Sequence, residues 1–283
     1  MILYHDPSCA EYGSHMRPEQ PARILRTVPH LKAAHPAWEW RIPGEVDDAL
    51  LLTAHAPALV KRIAEGPDLD EDTPHFPGIE RHARRAVAGA LDAAHAALAG
   101  ARAFSLMRPP GHHCTRNQAM GFCYLNQVAL AALNAQGGGS VRVAVWDFDA
   151  HHGNGTEDIL EGKPGVFFAS VHQYPGYPGT GTRSTVNCRN YPVKPHTPRD
   201  LHMADLARSW EAVLNFKPDL DEDTPHFPGI ERHARRAVAG ALDAAHAALA
   251  GDRAFSLMRP PGHHCTRNQA MGFCTSTKSP SPR

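Results

Sequence analysis

The chain has 283 residues, 42% hydrophobic and 20% charged, with 29 basic against 29 acidic side chains and no formal net charge. That length suits one large α/β domain, and a balanced charge leaves no electrostatic footprint for non-specific nucleic-acid binding. The start, Met1-Ile2-Leu3-Tyr4-His5-Asp6, is too short and too charged for a signal peptide or membrane span, so a cytoplasmic chain without membrane contact is expected.

Residues 1–25 read as a short strand followed by polar loop. Ala56–Glu65 and Ile79–Ala99 are predicted amphipathic helices, the second rich in alanine, a strong helix former. Ala103–Met107 is a short apolar strand that runs into Arg108-Pro109-Pro110-Gly111-His112-His113-Cys114. Adjacent histidines after a rigid turn suit proton transfer near neutral pH. They read equally well as surface histidines in a turn, since the chain holds 20 histidines. Tyr124–Ala135 is a predicted helix ended by Gly137-Gly138-Gly139.

Val141–Trp146 is mostly apolar and β-branched, as expected of a buried parallel strand. It breaks into Asp147-Phe148-Asp149-Ala150-His151-His152-Gly153-Asn154-Gly155-Thr156. The carboxyl end of such a strand is where open α/β sheets build sites. Asp147, Asp149 and His151 alternate, so they point the same way while the chain stays extended. Asp149 and His151 together offer an oxygen and an imidazole nitrogen to a divalent metal. Gly165–His172 follows as a strand and Leu201–Phe216 as a helix that stops before Lys217-Pro218. Strands alternating with helices predict a parallel, doubly wound sheet flanked by helices. The six cysteines lack C-x-x-C spacing and read as reduced thiols, neither a disulfide framework nor a structural zinc site.

The two histidine-bearing stretches as a set, with Gly121-Phe122-Cys123-Tyr124-Leu125-Asn126, Ser170-Val171-His172 and Tyr177-Pro178-Gly179-Thr180-Gly181, resemble the zinc-dependent histone deacetylase family and its acetylpolyamine-hydrolysing members. The resemblance runs from about residue 1 to about residue 220. Arg17-Pro18-Glu19-Gln20-Pro21-Ala22-Arg23 looks like a family segment, with Arg17 where a histidine would stand. By position Arg23 matches an arginine near the floor of the active site; a helix-start salt bridge is an equally good reading.

The resemblance implies an arginase/deacetylase-like fold and hydrolysis of an acetylated lysine or small acetylated amine by metal-activated water. It makes Asp149 and His151 two of three zinc ligands, with His113 the general base and acid. His112 is then its partner, oriented by Asp147, and Asn154 stands where some members carry a second histidine-orienting acid. Gly121, Phe122 and Tyr177 match the narrow substrate tunnel, although plain core packing also explains the two aromatics. Asp147, Ser170 and Val171 match a buried monovalent-cation site, usually potassium.

The end of the chain departs from the family. Pro67–Cys123 and Pro218–Cys274 are the same sequence apart from Ala101 against Asp252. Structural repeats diverge and recur several times, so this pair reads as a recent duplication or a faulty gene join. Residues 275–283, Thr-Ser-Thr-Lys-Ser-Pro-Ser-Pro-Arg, match a one-base frame shift of codons for Tyr124 to Ala132 and read as a disordered tail. The expected organisation is thus a deacetylase-like domain over 1–217, a duplicate over 218–274 and that tail.

A third zinc ligand, an aspartate in a Gly-Phe-Asp context, should follow Leu220. None of Asp221, Asp223, Asp243 or Asp252 has that context. A Gly-Gly-Tyr loop that would donate to the oxyanion is missing too, and losing one such donor costs about 10²–10³ in rate. The sheet is therefore expected to be incomplete at its C-terminal end and the enzyme impaired, with a catalytically inactive fragment or pseudoenzyme as the alternative. An arginase-like ureohydrolase would need Asp-x-His-x-Asp, and Gly153 replaces the last acid.

Overall fold

The structure is a computed structural model that describes residues 1–137 and 142–216. Expectations for the duplicate at 218–274 and for the tail lie outside the described residues.

Six strands and seven α-helices follow one another along the described chain: β1 (Ile2–Tyr4), α1 (Ala22–Ala34), β2 (Glu39–Arg41), α2 (Asp48–Leu51), α3 (Pro57–Glu65), α4 (Ile79–Leu98), β3 (Ala103–Ser105), α5 (Gln127–Gln136), β4 (Val143–Asp147), α6 (Asn154–Leu160), β5 (Val166–Gln173), β6 (Cys188–Val193) and α7 (Arg199–Phe216). Every strand pair is parallel, as the alternation of strands and helices predicts. The expected single sheet is divided in two among the described residues, β2-β1-β3 and β4-β5-β6, because no described strand lies between β3 and β4.

Local chemistry explains most element ends. Pro57 sits at the first turn of α3, where its missing N–H costs nothing. The helix predicted from Tyr124 begins three residues later because the Asn126 side chain accepts the Ala129 N–H and caps α5. The strand expected to run to Met107 stops at Ser105. Helices α1, α2 and α6 and strands β2 and β6 had no expectation; β2 is a three-residue edge strand with too little pattern to read.

Helix α4 buries Ile79, Ala83, Ala86, Val87 and Leu91, a stripe spaced for one helical face. It packs on β1, β3 and α5, and α5 reaches β4, so this helical layer ties the two sheets together. Strand β4 alternates between two cores. Val143 and Val145 face the cluster containing α4 and α5, while Ala144 and Trp146 face Trp210 and Val213 of α7. The second sheet is thus covered on both faces, and β5 is buried from Val166 to His172.

Candidate active site

The site lies past the carboxyl ends of β3 and β4. The turn after β3 is anchored from behind by Arg108, which is 2% exposed. Arg108 donates to both carboxylate oxygens of Glu19 at 2.5 and 2.7 Å and to the Cys9 carbonyl at 2.5 Å. Its guanidinium also lies 4.3 Å over the Tyr12 ring. The sequence reading singled out Arg17 and Arg23 in that segment and passed over Glu19. A charged residue closing an apolar strand was the available signal. Arg23 keeps both of its readings: it lies 3.8 Å from Glu19 and lines a cavity of about 340 Å³ with Ile24, Met107, Arg108 and Pro110.

His112 and His113 project from this turn with ring centres 4.0 Å apart. His112 Nδ1 lies 2.9 Å from Asp147 Oδ2, and His113 Nδ1 lies 2.8 Å from Asn154 Oδ1. Each Nδ1 is therefore a donor to an oxygen, which leaves each Nε2 for the site. The partners set the two histidines apart. Burial opposes charging of His112, but the hydrogen bond and charge of Asp147 outweigh it and its pKa is raised. Burial and the neighbouring His112 push His113 down to about 4, since neutral Asn154 offers only a weak counterweight. Asp147 is held below the usual carboxylate range: burial would raise it, and His112 outweighs that.

Asp147, Asp149 and His151 do converge, though by a different route from the one expected. Strand β4 ends at Asp147, so strand alternation does not aim the other two. The chain winds instead: the Asp149 N–H donates to Asp147 Oδ1 at 3.0 Å and the His151 N–H to Asp149 Oδ1 at 2.9 Å. Short polar side chains bonding to backbone two residues on are a turn device. The result brings His151 Nδ1 to 3.3 Å and His112 Nε2 to 4.0 Å from Asp149 Oδ1, and the His113 and His151 rings to 5.9 Å. Gly153 is needed for close approach, since a Cβ there would sit 2.3 Å from Asp147 Oδ2.

Tyr177 joins the same place. The Tyr177 ring stands edge-on to His113 at 5.0 Å and to His151 at 6.0 Å. Burial, with Asp70 nearby, pushes its hydroxyl pKa up to about 12. Gly121 is left-handed at φ +55, and a Cβ on it would meet His113 at 2.7 Å and Tyr177 at 2.9 Å. Phe122 follows, also left-handed at φ +66 and half-buried. Core packing alone does not account for Tyr177, which is 37% exposed. Parallel register sets Asp147 beside Ser170, with Val171 next in the strand and buried. The Ser170 hydroxyl is shared with His172 Nδ1 at 2.9 Å.

A buried polar group that the sequence reading missed lies beneath the loop. His152 Nε2 is 2.6 Å from Glu157 Oε2, off the line of a good hydrogen bond, and its Nδ1 is 2.8 Å from the Thr180 hydroxyl. Asn190 Nδ2 donates to both oxygens of Glu157 at 3.0 Å. The second histidine of the His-His pair was the signal: it faces inward while His151 faces out.

Residues 17–220, and again 206–278, match the histone deacetylase domain model. The chain belongs to the histone deacetylase domain family. It is 32% identical over 237 residues to a probable deacetylase of Archaeoglobus fulgidus, covering 77% of this chain and 66% of that one. It is 36% identical over 159 residues to the acetylpolyamine amidohydrolase of Mycoplana ramosa, covering 51% and 46%. The crystal structure of the HDA15 HD domain superposes with a TM-score of 0.70 at 29% identity, over 77% of this chain and 69% of that one. The chain spans between 59% and 66% of the length of three curated relatives that it matches over most of its own.

Family membership brings zinc into question. Asp149 and His151 present an oxygen and a nitrogen side by side, each about half exposed. Among the described residues no group of three or more His, Cys, Asp or Glu comes together to hold a metal. A catalytic zinc takes three protein ligands and a water, so the described residues supply an incomplete set. Likewise no described helix is long and apolar enough to cross a membrane.

Proposed function

We propose that this site is that of a deacetylase acting on an acetylated lysine or a small acetylated amine, zinc-dependent in type and impaired in this chain. The observation that carries the reading is the adjacent histidine pair whose partners push their proton affinities apart, His112 up beside Asp147 and His113 down beside Asn154. Such divergence assigns acid and base roles. His113, neutral at pH 7 with Nδ1–H bound to Asn154, offers its Nε2 lone pair to the proton of an attacking water. The same nitrogen then returns that proton to the leaving amine. His112, its proton affinity raised by Asp147, directs Nε2 toward the same space, where in its protonated form it would stabilise developing negative charge.

Phe122 and Tyr177 would flank an aliphatic chain and exclude water from it, with Gly121 keeping the passage narrow. The relatives' names support acetylated amines as the substrate class. Zinc would polarise the acyl carbonyl and activate the water, but Asp149 and His151 alone form too small a donor set for us to route a step through it. Asp147, Ser170 and Val171 are proposed as a monovalent-cation site, supported by the register that sets the first two side by side; potassium added to the purified chain should then raise its melting temperature more than sodium does. We also propose that 1–217 folds as the deacetylase-like unit and that 218–274 builds no second site, since His263 and His264 have no downstream Asp-x-Asp-x-His partner.

Release of free amine from an acetyl-lysine reporter and from an acetylated diamine tests the reading. Release that His113→Ala abolishes supports it. The incomplete donor set favours a second reading, an acyl-amine binder without turnover, and saturable binding of the same compounds without release would select it. Neither binding nor release would end both.

A further inference from the structure

Phe122 is one of two consecutive left-handed residues, after Gly121, and it is not a glycine. A bulky aromatic side chain at φ +66 is an outlier that persists only where its surroundings over-determine it. The tight turn that contains it closes on itself. Met120 N–H donates to the Cys123 carbonyl at 3.1 Å and Cys123 N–H to the Met120 carbonyl at 2.9 Å. The Phe122 N–H is left pointing out of the turn, and it donates to the Thr73 hydroxyl at 3.0 Å.

Thr73 is built for this. It is wholly buried, and a second tight turn consumes its own backbone groups: its N–H donates to the Asp70 carbonyl at 3.0 Å and its carbonyl accepts from the Leu69 N–H at 3.1 Å. Only the hydroxyl remains to face the neighbouring turn. A second tie runs beside it, from the Tyr124 hydroxyl to the Pro74 carbonyl at 2.5 Å. The two turns therefore dock face to face.

We propose that Thr73 is a positioning residue that fixes the direction of the Phe122 ring by accepting its amide proton. With the acceptor gone, a half-buried N–H would be left unsatisfied, and the left-handed backbone would lose the bond that selects it. Phe122 would relax toward negative φ, and its ring would change direction. The consequence for acyl-amine binding rests on the function proposed above; the backbone consequence does not.

The test uses the full chain labelled with nitrogen-15. Thr73→Val keeps shape without an acceptor, and Thr73→Ser keeps the acceptor. The Phe122 amide should exchange with solvent at least about tenfold faster in Thr73→Val than in wild type, with Thr73→Ser restoring protection. Affinity for an acetylated diamine should fall at least about fivefold in Thr73→Val and recover in Thr73→Ser. Equal Phe122 protection in wild type and Thr73→Val overturns the proposal. An exchange change in a chain that binds no acetylated amine keeps the proposal and removes the tunnel reading instead. Glycine adopts φ +66 freely, so Thr73→Val should cost far less in a Phe122→Gly background. If Thr73→Val fails to fold, rescue in that double variant supports the proposal and failure of rescue overturns it.

Discussion

The two halves of the site are held in opposite ways. His112 and His113 are each fixed at Nδ1 by a side chain from another element, on a turn nailed down by the buried Arg108–Glu19 pair. Asp149 and His151 are held by their own backbone N–H groups, which donate to carboxylates two residues earlier, and by each other's side chains, and both lie about half exposed. The histidine half, proposed to handle protons, is thus specified by the described fold itself. The donor half is local turn geometry that waits on further partners. Among the described residues, one side of the site is well ordered while the other brings together fewer than three metal-type donors.

The first way to break this comparison is through stability. Removing one partner of a buried ion pair costs roughly 3–5 kcal/mol, because the other charge is left stranded. Arg108→Met should therefore lower unfolding free energy in urea by about that much. Asp149→Asn, at an exposed site, should change it by less than about 0.5 kcal/mol. Similar losses for the two variants would mean that the donor half is as deeply built in as the histidine half.

How much of this was readable beforehand follows the same division. The strand-end residues from Asp147 to Asn154 and the His112–His113 turn announce themselves, because adjacent chemistry-bearing residues at strand ends are a local pattern. Phe122 and Tyr177 came from motif likeness; the Tyr177 ring lies beside His113 and His151, and Phe122 follows Gly121 in the chain. Glu19, Thr73 and Glu157 were illegible because their roles come from partners brought together by folding: Glu19 meets Arg108 across 89 positions and Thr73 meets Phe122 across 49. The division of the sheet between β3 and β4 was also unreadable, since strand pairing is not a property of either strand alone.

A smaller effect sharpens the comparison through pH. His55 is fully buried, with Nδ1 bonded to the Thr115 carbonyl and Nε2 accepting the Asn126 N–H. Burial first, opposed by that carbonyl, lowers its pKa to about 4 from 6.5. The unfolded chain gains a proton below pH 6.5 while the native chain does not, so this contribution is complete above 6.5 and is lost as pH falls toward 4. The loss attributable to His55 by pH 4.5 should be about 2–3 kcal/mol. Unfolding curves for wild type and His55→Gln at pH 7 and 4.5 measure it, and an unchanged pH slope in the variant would show that His55 carries none.

Smaller still is the exchange of Asn154 for a carboxylate. His112 beside Asp147 shows what a charged partner does to an imidazole here, and His113 beside Asn154 shows what a neutral one does. Asn154→Asp should move the His113 pKa upward, toward that of His112, with little change in stability because one hydrogen bond replaces another. Nitrogen-15 titration of the two imidazoles reads this directly. A His113 midpoint that stays put would mean that burial alone sets it.

The smallest expected effect concerns turnover and bears on the donor half. Asp149 and His151 leave two or more zinc positions to water where catalytic sites use three protein ligands, so zinc should bind weakly and dialyse away with a chelator. His113 is close enough to be recruited, its ring 5.9 Å from that of His151. A metal held that way would occupy the Nε2 lone pair that must take the proton, so binding regained would not be catalysis regained. Acetyl-lysine turnover should then sit only slightly above background, and His113→Ala should remove just that small excess, whereas in a complete site the same substitution removes the general base and costs about 10²–10⁴ in rate. About one zinc per molecule retained after dialysis, together with turnover abolished by His113→Ala, would mean that a third donor is supplied after all and that the two halves are equally well built.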